Sequence, residues 1–197
     1  MTLDNLRAAI VKEFADKWEL NDLAHRQTHF EGVFRTGMLI NERLGLGFDP
    51  KLILFAAYFH DMFAWSRVNH HELSFHWMMS TDHPLILEHF DPSETQQVAW
   101  ACMQHRASFT GQFKSQFAEL INAADRELPG NVDVMLLRAM QFRQKKAPHE
   151  SAVQIMEASI AHLKEKFGFG GYARYPALYI ECFDRELDKQ RREIAQL

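Results

Sequence analysis

Imidazoles and carboxylates recur in this sequence at places where they can work together. His60 and Asp61 are adjacent, and eight apolar residues in a row, 52–59, lead into them. An ionisable pair at the inner end of a buried segment needs a partner, because an unpaired buried charge costs several kcal/mol. A divalent metal ion is a suitable partner for imidazole beside carboxylate. Two more positions can extend the ligand set. His29 lies on the same helical face as Val33, so it points inward with an apolar stripe. Asp125 follows Ile121, Ala123 and Ala124, and a carboxylate reached through such residues is not a surface group. The alanines also let neighbouring helices come close. His29, His60, Asp61 and Asp125 together make two imidazoles and two carboxylates from three segments. Mixed N/O donors without cysteine suit Mn, Fe, Mg, Ni or Co, with Zn also admitted. An ion that keeps open positions for water can activate it, whereas a closed shell is structural.

The elements that must carry these residues read as helices throughout. Asp49-Pro50 is a start signal for a helix over 50–61, with Asp49 as cap and Pro50 at the first helical position. The apolar run is too short to span a bilayer, which takes about 20 residues. Leu3, Leu6, Ile10, Phe14 and Trp18 recur about once per turn and predict a helix over 3–18, broken by Asn21-Asp22. A second helix is expected over 23–44, ended by Gly45-Leu46-Gly47. After a loop at 63–68 come a helix from His71 to Met79 and a short segment to Phe90. Asp91-Pro92-Ser93-Glu94 reads as cap, first-turn proline and N3 glutamate, opening a helix over 92–106. Further helices are expected over 113–128, 132–146, 149–167 and 176–195. No segment reads as a strand. The expected fold is all-α, a compact bundle of roughly eight helices in a single domain over 1–197, with a motif core at 23–130 and a helical extension at 131–197.

Bulk properties narrow the function classes. A hydrophobic content of 47% with 16 Phe supplies a sizeable core, and a net charge of −4 argues against broad nucleic-acid or membrane-surface binding. Cys102 and Cys182 stand far apart without metal-ligand spacing and read as small buried hydrophobes. The N-terminus lacks the pattern of a secretory signal, so the expectation is a soluble cytoplasmic protein. Seven of the eleven histidines fall between His60 and His105, a local excess of the commonest metal ligand.

The order of His29, His60-Asp61 and Asp125 resembles the H…HD…D motif of the HD superfamily of metal-dependent phosphohydrolases, whose core is all-helical. The resemblance covers about half the chain. His29 with Val33 is similar to the first motif histidine and its helix partner. Residues 56–61 resemble the apolar helix leading into HD, and residues 122–126 the late aspartate followed by arginine. His25, one turn before His29, is a rival that lacks the valine four residues on. His71 in Asn69-His70-His71-Glu72 resembles a His-Glu step that follows HD in the family, and His105 a histidine closing the helix before the late aspartate. The short gap from Asp61 leaves His70 and Glu72 as rivals to His71. In the family, such histidines contact substrate phosphate or complete a second metal site bridged by the HD aspartate.

The resemblance implies a hydrolase of phosphate esters or anhydrides acting on a small phosphorylated substrate, a nucleotide first among them. His29, His60, Asp61 and Asp125 would hold a divalent metal. His71, His105, Arg106 and Arg126 would bind the phosphate, and Asp61, His71 and His105 would be catalytic. Two alternatives stand beside it: a two-metal HD-type di-iron oxygenase or phosphodiesterase, and a non-catalytic helical binding module with a structural metal. The remaining histidines, among them His76, His83, His89, His149 and His162, read as solvated or capping groups. Arg143–Lys146 reads as a solvated basic face, and the glycine-rich stretch 167–171 as a turn.

Overall fold

The helix starts legible in the sequence are closed by hydrogen bonds in the structure, a computed structural model that describes every residue except Glu127 and the side chain of Leu23. Among the described residues are ten α-helices and no strand: α1 Leu3–Trp18, α2 Gln27–Arg43, α3 Pro50–Phe59, α4 His70–Ser80, α5 Pro84–His89, α6 Pro92–Gln104, α7 Gln116–Ala124, α8 Val132–Lys146, α9 Ala152–Phe167 and α10 Ala177–Gln196. Asp49 accepts from Lys51 N–H at 2.8 Å with Pro50 at the first position of α3. Asp91 and Glu94 form a full capping box on α6. His83 caps α5, its Nδ1 accepting from Leu85 N–H.

Five of the expected helices differ at a boundary. The helix expected over 23–44 is interrupted. Asp22 caps Ala24 N–H, Leu23–His25 form a 3-10 turn, and extended Arg26 (φ −120°, ψ −173°) precedes α2. The helix expected over 50–61 ends at Phe59, with His60 as its C-cap. The segments 92–106 and 113–128 are trimmed to α6 and α7, which end on His105 and Asp125 as C-caps. The helix expected from 149 begins at Ala152, because Ser151 and Gln154 close a capping box there.

The chain forms two compact units. In the first, Met1–Arg126 with Pro176–Cys182, α3 is the central element, and all eight residues from Leu52 to Phe59 are buried. Helices α1, α2, α6 and α7 surround it. Gly37 of α2 permits the closest approach: a Cβ there would stand 2.8 Å from Ile53 Cγ2 of α3 and 3.5 Å from Ala124 Cβ of α7. The alanines before Asp125 thus admit α2, as their size leads one to expect.

The second unit, Glu127–Tyr175 with Phe183–Leu197, pairs α8 with α9 over a core of Val132, Leu163 and Ile194. Gly170 takes φ +73° in the loop after α9, and a Cβ on Gly168 or Gly171 would meet a lysine carbonyl at 2.5 Å, so this stretch is a tight turn. Helix α10 kinks at Phe183. Both cysteines are free, and Cys102 is buried. No helix among the described residues is long and apolar enough to cross a membrane.

Candidate metal centre

Helix ends, rather than helix bodies, bring the site residues together. His60, His105 and Asp125 are the C-caps of α3, α6 and α7, while His29 lies in the first turn of α2 and His70 opens α4. C-terminal helix ends carry partial negative charge and favour a cation.

The four expected ligands converge. His29 Nε2 lies 3.2 Å from His60 Nε2, 3.2 Å from Asp125 Oδ1 and 3.6 Å from Asp61 Oδ2. His60 Nε2 lies 3.3 Å from Asp61 Oδ2 and 3.5 Å from Asp125 Oδ1. The other oxygen of Asp61 faces a second group. Asp61 Oδ1 is 3.3 Å from both His70 Nε2 and His105 Nε2, which are 3.2 Å apart. These two sets are the groups of metal-competent side chains among the described residues, and Asp61 belongs to both.

The donor chemistry fits divalent ions. N and O ligands held at roughly 2.0–2.2 Å from one ion stand about 3 Å from each other, which is the spacing in both groups. His60 Nδ1 donates to Ala57 carbonyl at 2.8 Å, and His105 Nδ1 to Cys102 carbonyl at 2.6 Å. A carbonyl can only accept, so each Nδ1 carries a proton and each Nε2 is the atom that could offer a lone pair to a metal ion, the usual backing of a ligating histidine. Lone pairs on nitrogens 3.2 Å apart repel unless a proton or a metal ion lies between them.

Electrostatics tell the same story. Burial alone would push His60 down, but the Asp61 and Asp125 carboxylates overcome it and raise it to about 10. His29 is raised against burial by the same two partners. Burial would raise Asp61 and Asp125; instead His60, His29 and His105 hold both well below the usual carboxylate range. Without a metal this group therefore collects protons to balance its carboxylates. His70 behaves oppositely: burial and the neighbouring His105 lower it to about 4.

Of the residues expected to bind phosphate or act in catalysis, Asp61 and His105 lie within the groups. His71 lies outside both, and its neighbour His70 occupies the second group. Helical phase explains this, since successive residues diverge by about 100° and His70 is the residue aimed at Asp61. Glu72, the other rival, is exposed. His71 sits near Arg106, whose charge helps to lower it after burial. Arg106 Nη1 donates to Val68 carbonyl at 2.9 Å, and Arg126 Nη2 to Asn122 Oδ1 at 2.8 Å. His25, in its 3-10 turn, pairs with Asp22 at 2.6 Å and stops 3.9 Å from Asp61 Oδ2, beyond the first group. Sequence reasoning passed over Ser74, which donates to His60 carbonyl at 3.0 Å, and the buried Asn21 and Asn122. Ser74 and Asn122 sit among apolar neighbours, the one signal that marks them, whereas Asn21 is marked only as a helix breaker.

No protein-family model matches the chain, and comparison with curated proteins gives no match. Among solved structures, the crystal structure of a predicted HD superfamily hydrolase from an uncultured Thermotogales bacterium is similar to it. That chain is 19% identical, with a TM-score of 0.50, and the likeness covers 98% of this chain and 92% of that one. The chain has the HD-domain fold, and its buried cluster of histidines and aspartates could hold a metal ion.

Proposed function

We propose that the chain is a metal-dependent hydrolase of phosphate esters or anhydrides, with a small nucleotide as its substrate class. The observation that carries this reading is the sharing of Asp61 between two groups of facing Nε2 atoms. His29, His60, Asp61 and Asp125 would hold one divalent ion, and Asp61, His70 and His105 a second. A bound divalent ion supplies positive charge for phosphoryl oxygens and makes water a stronger acid. The side chains divide the remaining work. Asp61 and Asp125 keep their charge at neutral pH and balance the ions. With a pKa near 4, His70 is a neutral imidazole at pH 7, so it serves as a ligand and not as a proton donor. Arg106, Arg126 and His71 would bind substrate phosphate at the edge of the second group and of α7.

Phosphate release from a nucleotide panel, with Mn, Co, Ni or Mg added, tests the reading. Asp61→Ala removes a ligand from both groups and is expected to lower metal-dependent activity by more than about 100-fold, beyond the roughly 10–100-fold typical of partners behind a ligand, while the helical circular dichroism signal stays. Retained activity would refute the assignment. Silence across the whole panel would favour a non-catalytic module with a structural metal.

The second group is compatible with a two-ion phosphodiesterase within that reading, and it also favours one rival chemistry, that of a di-iron oxygenase. Elemental analysis separates them: two irons per chain as isolated point to oxygen chemistry.

A further inference from the structure

Two buried asparagines stand behind the metal groups and are bonded alike. Asn21, 2% exposed, donates from Nδ2 to the carbonyls of Asp61 and His25, each at 3.0 Å, and its Oδ1 accepts from Trp65 N–H at 2.9 Å. Asn122, 1% exposed, donates from Nδ2 to the carbonyls of Gln104 at 2.7 Å and Arg106 at 3.0 Å, and its Oδ1 accepts from Arg126. A carboxamide has two N–H donors and one acceptor oxygen, and both residues use all of them on protein partners.

The carbonyls they hold lie at the ligands. Gln104 and Arg106 flank His105 at the end of α6, where helix carbonyls lack intrahelical partners. The third fixed point of His105 is its own Nδ1 on Cys102 carbonyl. Asn21 holds the carbonyl of Asp61 itself, in the turn after α3, and ties it to the segment before α2. A leucine would fill either space yet leave two buried carbonyls without donors.

Resting on the two-ion reading above, we propose that Asn21 and Asn122 are positioning residues with different reach. Asn21 fixes Asp61 and so serves both metal groups. Asn122 fixes His105, which belongs to the second group and not the first, and so acts most directly on the second ion. Neither residue touches a ligand atom of the ions; each acts through the backbone of one that does.

Aspartate substitutions remove this role with little change of shape, because ionised aspartate keeps the acceptor oxygen and loses both donors; its added negative charge would by itself strengthen cation binding, so a weakened ion reports the lost donors. Mn2+ bound per chain is counted by equilibrium dialysis of the full-length protein, with the melting temperature read alongside. The wild type is expected to take two ions. Asn122→Asp is expected to take one at ordinary concentrations, with the first affinity within about threefold of wild type and the second weakened by about 10–100-fold, as for other partners behind a ligand. Asn21→Asp is expected to weaken both. General destabilisation would lower the melting temperature without choosing between ions. Two ions at wild-type affinity in Asn122→Asp, or equal loss of both in a folded Asn122→Asp, overturns the proposal. A wild type that binds fewer than two Mn2+ overturns the two-ion reading instead. The brace is then judged on the wild-type chain itself, as it is if a variant fails to fold. Slow solvent exchange of the Asn122 side-chain amide protons supports it, and rapid exchange overturns it.

Discussion

In the first metal group two carboxylates face two imidazoles; in the second, a single carboxylate oxygen faces two. That difference decides how each behaves without metal. The first group is short of positive charge and draws protons onto His60 and His29 against the effect of burial. The second shares a carboxylate already engaged on its other side, and His70 is driven to neutrality. A cation entering the first group replaces protons the carboxylates have already gathered. One entering the second meets neutral imidazoles and one shared oxygen. On the two-ion reading, one bridging aspartate would serve two sites of unequal strength, and the first is expected to fill before the second.

Removing one group at a time gives the largest test of this inequality. Asp125→Asn keeps the side-chain volume and takes away a carboxylate unique to the first group. It is expected to cost the tighter ion and activity on the order of 1,000-fold, beyond the roughly 10–100-fold seen for partners behind a ligand. His70→Ala removes a ligand unique to the second group and is expected to leave the tighter ion in place, with a smaller activity loss. Titration calorimetry with Mn2+ on both variants reads the order of filling. If His70→Ala abolished the tighter site, the ranking of the two groups would be reversed.

This asymmetry was partly legible in the sequence. The apolar run 52–59 ending in His60-Asp61, His29 in phase with Val33, and the alanines before Asp125 placed all four first-group residues where the structure brings them together. Their legibility has a physical cause: each sits in a long periodic or apolar segment, where burial can be inferred. The second group was harder to read. His70 and His71 are adjacent at a helix start, and a shift of one residue in the start of α4 decides which of them faces Asp61. Helix starts without a side-chain cap, such as that of α4, leave this phase undefined in sequence. Asn21 was legible only as a breaker between helices, because its bonds to Asp61 and Trp65 span 40 and 44 residues.

Stability against pH separates the groups more finely. His60, raised from an ordinary 6.5 to about 10 in the folded chain, contributes stability that is fully present below about pH 6.5 and is lost as pH rises through about 10. Asp61 and Asp125, held low, contribute stability present above the ordinary carboxylate range and lost as pH falls through their depressed values. The metal-free protein is therefore expected to lose melting temperature steadily from about pH 7 to 10. Saturating Mg2+ should flatten that decline, since an ion then balances the first-group carboxylates in place of the proton. Thermal melts with EDTA or with Mg2+ across this range provide the check. Parallel declines in both would mean that the ion does not displace the His60 proton, and the first group would lose its claim to bind first.

Gly37 offers the gentlest way to disturb one group without touching a ligand. It lies on α2, which carries His29 and no ligand of the second group, and its missing side chain is what lets α2 approach Ile53 and Ala124. In Gly37→Ala the new Cβ would meet Ile53 Cγ2 at 2.8 Å, so α2 or Ile53 must shift. Overpacking of this kind costs about 1–3 kcal/mol, and the better helix propensity of alanine returns up to about 1 kcal/mol. The net loss expected in urea unfolding is about 0–2 kcal/mol. His29 moves with α2, whereas His70 and His105 are held by α4 and α6, so the affinity of the first ion should fall by a larger factor than that of the second. Equal weakening of both ions would mean that a shift of α2 passes through Asp61 into the second group, making the two groups one mechanical unit rather than two that share a residue.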